Sequence, residues 1–332
     1  MNITIIGTGA IGGWIAAKLA LASAGHVVNV VARGETLRAV SDHGLRLRST
    51  VGEERQEFVA RVNAVESTTA LPPQDLIVVA VKQPALAAVL HHITPLLAPH
   101  TMILSAMNGV PSWFFARTDR PLAGTALLSV DPSGAIGKAL PAAQTIGCVV
   151  HAACSVSESG VIEHKMGNRL IIGEALGGNS ERLSTLSQML IAAGFDAPVS
   201  NDIHHDIWFK LWGNMTTNPV SAITGATSDK ILADPQVRAF CSRVMIEAKL
   251  IGAAIGIHIE GEPESRHALT EKLGAFKTSM LQDVNAGRAV ELDALVTVVR
   301  EIGQALRIET PSTDALLGLA RLMAQTRGLY PS

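Results

Sequence analysis

Within the stretch WFKLWGNMTTN, Trp208 to Asn218, Lys210, Asn214 and Asn218 have the types and spacing that could do chemistry. At about 100° per residue they span roughly 80° of one helix face, with Thr217 among them. Trp208, Trp212 and Met215 point the opposite way, and Phe209 and Leu211 flank the stripe. A solvated face usually mixes charges. This one offers an ammonium and neutral hydrogen-bonding groups between apolar flanks. Two readings stay open. Lys210 stretches its long stem to water, or it lines a polar cleft. In a cleft, an ammonium stabilises an oxygen on which negative charge develops and can then donate a proton to it.

A second constellation opens the chain. Gly7-Thr8-Gly9-Ala10-Ile11-Gly12 follows the β-branched residues Ile3, Ile5 and Ile6 and precedes an alanine-rich run. The pattern predicts strand, glycine turn and helix. The first glycine allows the tight turn, the second lets backbone approach a pyrophosphate, and the third lets the helix sit close to the strand. The helix N-terminus then presents free N–H groups to the phosphates. At the end of the next strand, HVVNVVAR, stand Ala32 and Arg33 rather than the acidic residue that suits a free ribose 2′-OH. Arginine suits a 2′-phosphate, so the expected cofactor is NADP(H) rather than NAD(H). Glu35 fits the first turn of the following helix. Lys82, the last residue of DLIVVAVK, and Asn108, in TMILSAMNGV, also fall at strand ends, where ligands of such folds collect. They are candidates for cofactor or substrate. A surface lysine and a turn-forming asparagine are the alternatives.

The elements that position these residues follow from the same patterns. The first half alternates buried strands with helices, a Rossmann-type doubly wound α/β sheet. Between about 120 and 200, GTALLSV, TIGCVVHAAC and GVIEHKMGNRLIIGE predict shorter strands in antiparallel or mixed pairing. A helix with Ser180 as N-cap and Gly194 as its stop leads out of the domain. The expected division is 1–200 for the nucleotide-binding domain and 201–332 for an all-α C-terminal domain. In the latter, the helix carrying Lys210 is expected to kink or end at Pro219. Helices follow around 235–256 and 264–282, with Ser279 ending the second. Another runs from Glu291 to about Leu306. The last has Thr310 as N-cap and Pro311 in its first turn.

Composition bounds the function. With 48% hydrophobic and 17% charged residues in 332, the chain reads as globular with two cores. A net charge of −2 gives no reason to expect nucleic acid or an anionic membrane. Three cysteines without metal spacing suit reduced thiols, the adjacent His204 and His205 lie about 100° apart on a helix, and no metal site is expected. No apolar run approaches the ~18 residues of a membrane span, and MN runs straight into ITIIG without a basic leader. A cytoplasmic protein is expected. The single tyrosine, Tyr330, excludes a mechanism built on a core Tyr-x-x-x-Lys pair.

GTGAIGG at the start, Arg33, Lys82, NGV at 108, WFKLWGNMTTNP and SMLQDVNAGRAVELD together resemble the 2-dehydropantoate 2-reductases, or ketopantoate reductases, over nearly the full length. The last two motifs are specific to the family, and the glycine fingerprint is not. The resemblance implies NADPH-dependent reduction of 2-dehydropantoate to (R)-pantoate in pantothenate and coenzyme A biosynthesis. It implies Lys210 as general acid, Asn214 and Asn218 on the substrate, and Ser279 on its carboxylate. Glu291 organises the substrate hydroxyl and cofactor ribose region, and Asn108 bridges cofactor and lysine. Two departures touch the substrate end. Ser228 stands near a further family asparagine, and Phe276 where some members carry asparagine. Another 2-oxo acid on the same fold is therefore an alternative, and a non-catalytic NADP(H) sensor is one of a different class. A homodimer is the expected assembly.

Overall fold

A computed structural model of the chain describes residues 1–22, 25–51 and 54–331. The chain divides into two compact units. The first is Met1–Met107 with Ala135–Ile203, and the second is Asn108–Gly134 with His204–Ser332. The segment Asn108–Gly134 thus belongs with the helical unit, where the sequence reading kept it in the first domain.

The first unit is built on nine strands: β1 (Asn2–Ile6), β2 (Val27–Val31), β3 (Leu45–Val51), β4 (Glu54–Ala60), β5 (Asn63–Val65), β6 (Leu76–Val79), β7 (Met102–Ser105), β8 (Thr145–Glu158) and β9 (Val161–Glu174). Their order is β4-β3-β9-β8-β7-β6-β1-β2-β5. From β5 to β8 every neighbouring pair is parallel, which is the doubly wound core. β8 and β9 form the expected antiparallel pair. Strand periodicity divides the continuous apolar runs between two faces. Ile3, Ile5, Leu76, Val78, Met102 and Leu104 pack into one core. Ile6, Ile77, Val79 and Ile103 pack into the other.

β3 and β4 lie outside the sequence reading. Their pattern is charged and only one face is buried: Leu45 and Leu47 are core, while Arg48 Nε lies 2.5 Å from Glu57 and Nη1 3.3 Å from Glu163. In the second unit, GTALLSV is not a strand. The carboxylate of Glu301 accepts from the backbone N–H of Leu128 at 2.6 Å and of Ser129 at 3.0 Å, so those donors need no ladder.

The second unit is helical. Its longest helix, Ile203–Thr224, passes through Pro219 instead of ending there. Val220, Ser221 and Ala222 are buried beyond the proline, and their packing outweighs the one backbone bond that it forfeits. The helix expected over 264–282 is two: Pro263–Glu271 and Ser279–Asn285. Gly274 turns the chain at φ +62°, and Thr278 Oγ1 accepts from Leu281 N at 3.2 Å. Ser279 therefore opens a helix rather than closing one. At the last helix, Pro311–Thr326, Thr310 sits at the N-cap position, but its hydroxyl donates to Asp314 at 3.1 Å. Glu247 does the capping from the helix Pro235–Ala254. Its buried carboxylate accepts from Ser312 N at 2.8 Å, Thr313 N at 2.8 Å and Thr313 Oγ1 at 2.7 Å. Glu247→Ala strands these donors and is expected to cost about 2–3 kcal/mol, read as a lower denaturation midpoint. An unchanged midpoint would show that water replaces the carboxylate. No described helix is long and apolar enough to cross a membrane.

Candidate active site

In the second unit, two tryptophans orient the helix that carries Lys210. Trp208 and Trp212, 0% and 1% exposed, donate their ring N–H to the carbonyls of Ala248 and Met245 at 3.2 and 2.7 Å. This pins one face to the helix Pro235–Ala254. The opposite face, with Lys210 and Asn214 only partly buried, is thereby directed away from that contact.

Lys210 Nζ donates to Asn108 Oδ1 at 2.8 Å. Asn108 opens a tight turn. Gly109 has φ +79°, and a Cβ there would stand 2.2 Å from the carbonyl oxygen of Ala294. The next residue closes the contact, Val110 N donating to Ala294 O at 2.9 Å. Only glycine admits this approach and this backbone angle together. Ala294 lies three residues after Glu291, which is 6% exposed. The clamp thus fixes Asn108 against the start of the segment that Glu291 opens.

Two turns beyond Lys210, Asn218 Nδ2 donates to Ser279 Oγ at 3.4 Å. Asn218 is buried and Ser279 exposed at its helix start. Asn214, between them on the wheel, makes no side-chain hydrogen bond among the described residues, so its amide is open to a ligand. Ser228 has a structural task that the sequence reading did not assign. Its hydroxyl donates to Gly274 O at 2.8 Å, and its N–H to Phe276 O at 3.0 Å. It holds the turn that leads into Thr278 and Ser279.

In the first unit, the residues after β1 fit a dinucleotide's phosphates. A Cβ on Gly12 would meet Gly7 O at 2.0 Å, so helix Ala10–Leu21 sits as close to the turn as glycine permits. A Cβ on Gly7, at φ +101°, would meet Val81 at 2.6 Å. Nothing lies within 4 Å of a Cβ built on Gly9, so space stays open on that side of its backbone. Thr8 Oγ1 donates to Val31 O at 2.7 Å and ties the turn to β2. Ala10 and Ile11 begin the helix with no acidic residue in its first turn. Arg33 is exposed just past β2, and Lys82 is partly buried at the start of helix Gln83–Ile93 past β6. Burial, then the neighbouring His91 and Arg33 charges, hold His92 below the usual histidine range.

The family model described as ketopantoate reductase PanE/ApbA matches residues 3–177, and that for its C-terminal part matches 202–324. A 2-dehydropantoate 2-reductase from Mesorhizobium japonicum is 43% identical over 99% of this chain and 100% of its own length. Among solved structures, a Ralstonia solanacearum chain provisionally named a ketopantoate reductase is 52% identical. The match covers 99% of each chain at a TM-score of 0.93. A 2-dehydropantoate 2-reductase from Methylococcus capsulatus is 27% identical over 98% of both chains, at a TM-score of 0.82.

Proposed function

The chain belongs to the ketopantoate reductase family, and from that premise we propose that it reduces 2-dehydropantoate to (R)-pantoate with NADPH. Lys210 is the proton donor in this reading, and the reaction is a step of pantothenate and coenzyme A biosynthesis. The observation that carries it is the 2.8 Å bond between Lys210 Nζ and Asn108 Oδ1.

When bound, NADPH supplies the hydride that reaches the ketone carbon. The residues of the chain do the rest. As the carbonyl oxygen gains negative charge, the Lys210 ammonium stabilises it and then gives it a proton. Asn108 holds the ammonium through its amide oxygen, at 2.8 Å. Asn214 and Asn218 hold the polar groups of the substrate, and Ser279, bonded to Asn218, takes its carboxylate. Glu291 organises the hydroxyl and ribose region. Gly7, Gly9 and Gly12 shape the backbone for the pyrophosphate, with the N–H groups at the start of helix Ala10–Leu21 as donors.

Arg33 is read as the partner of the 2′-phosphate, with Lys82 as a second cofactor contact. Arg33→Ala is expected to raise KM for NADPH about 10-fold and leave KM for NADH nearly unchanged, since a charge-assisted pair is worth about 1.5–3 kcal/mol. Equal effects on both cofactors would remove the 2′-phosphate from this account. The reading as a whole is tested by loss of NADPH absorbance with 2-dehydropantoate, run beside NADH and other 2-oxo acids. Preferred turnover of 2-dehydropantoate with NADPH is the expected result. Turnover of another acid alone would move the substrate, and NADPH binding without turnover of any would favour a sensor.

A further inference from the structure

One partly buried charge of the second unit has no part in the roles above. Arg266, on helix Pro263–Glu271, lies flat against helix Ile203–Thr224. A Cβ built on Gly213 would stand 2.7 Å from both Nε and Nη2 of Arg266 and 2.8 Å from Cζ. The guanidinium therefore fills the space that any side chain at 213 needs. That explains a mid-helix glycine, which costs about 1 kcal/mol against alanine. One turn earlier Phe209 offers its ring, with Arg266 Cζ 5.9 Å from the centroid. Nη1 donates to Thr270 Oγ1 at 3.4 Å. Nε is buried without a hydrogen-bond partner.

Among the described residues no carboxylate pairs with Arg266. The acids of its own helix are taken: Glu264 and Glu271 both pair with Arg238. Burial alone lowers the guanidinium from its usual range, with no neighbouring anion to offset it. A largely desolvated cation with an unsatisfied donor is costly unless an anion offsets its charge. Gly213 lies about 60° from Lys210 on the wheel, so the guanidinium borders the face that carries Lys210.

We propose that Arg266 binds the carboxylate of the 2-oxo acid and so selects anionic over uncharged carbonyl compounds. The inference rests on the reductase reading of the Lys210 face. It supplies the full charge that the Ser279 hydroxyl lacks, through a planar donor matched to a carboxylate.

The test titrates ketopantoate into NADP⁺-loaded protein by calorimetry, with reduction by NADPH measured in parallel. Arg266→Gln is expected to weaken ketopantoate at least 10-fold and leave NADP⁺ affinity and the melting temperature nearly unchanged. Arg266→Lys, which keeps the charge, falls between. The uncharged methyl ester of the acid binds wild type and R266Q alike. Equal ketopantoate affinity in wild type and R266Q overturns the assignment. Equal loss for acid and ester also overturns it, because that marks a structural role. Wild-type protein that binds ketopantoate without reducing it sinks the reductase reading alone, and the R266Q affinity still decides for the arginine. Wild-type protein that binds no ketopantoate overturns both.

Discussion

Lys210→Ala is expected to lower turnover of the 2-oxo acid by about 10³-fold and to leave NADPH affinity within about twofold. The size follows from two losses at one atom. The alkoxide formed by hydride arrival loses its cation, and it loses its proton donor. Either contribution alone is commonly worth about 10²-fold or more. Binding of the cofactor is expected to be spared because the contacts proposed for it at the glycine turn, Arg33 and Lys82 belong to the other compact unit. The fold is spared too, since Lys210 is only partly buried and the helix is held by Trp208 and Trp212. Lys210→Arg keeps the charge with a donor that cannot release its proton, so it is expected to recover little turnover. Steady-state rates with a fluorescence titration of NADPH decide the matter. A Lys210→Ala enzyme with wild-type turnover would remove the lysine from the chemistry.

Gly109→Ala is expected to cost about 3 kcal/mol or more in stability and to lower turnover about 10²-fold in the molecules that stay folded. At φ +79° an alanine is strained before any contact is considered. Its Cβ would then stand 2.2 Å from the Ala294 carbonyl oxygen and 2.6 Å from the carbonyl carbon, and backbone cannot swing aside as a side-chain end can. The turn must lift, breaking the 2.9 Å bond from Val110 N to Ala294 O and carrying Asn108 away from Lys210. Gly318→Ala is the control. It lies within helix Pro311–Thr326 with nothing within 4 Å of its Cβ position, so a small gain of about 0.5–1 kcal/mol is expected. A stable, fully active Gly109→Ala protein would show that the turn is not clamped.

What the sequence disclosed, and what it hid, divides along physical lines. The parallel strands were legible as continuous β-branched runs, buried on both faces, and the Lys210 face because helix periodicity separates its buried and open sides. Asn108 and Lys210, 102 residues apart, could be named singly, but no spacing rule shows that they bond. Pro219 does not end its helix because tertiary burial outweighs the lost backbone bond, and Val220, Ser221 and Ala222 are buried beyond it. Ser279 was placed at the wrong end of its helix, although Thr278 before SMLQD is a capping residue in the sequence itself. β3 and β4 escaped notice because cross-strand charge pairs, rather than a long apolar run, mark them. Gly213 was the visible trace of Arg266. A glycine inside a helix asks what stands in the place of its side chain, and the answer lay 53 positions away in another helix.

The most direct measurement follows deuterium from [4-²H]NADPH, both C4 positions labelled, into product by mass spectrometry. Wild-type and Lys210→Ala proteins are compared at equal times with 2-dehydropantoate. The account predicts pantoate labelled at C2 from the wild type and about 10³-fold less from the variant, with NADPH bound equally by both. Unlabelled product, no product from wild-type protein that holds NADPH, or equal labelled product from the two proteins would contradict it.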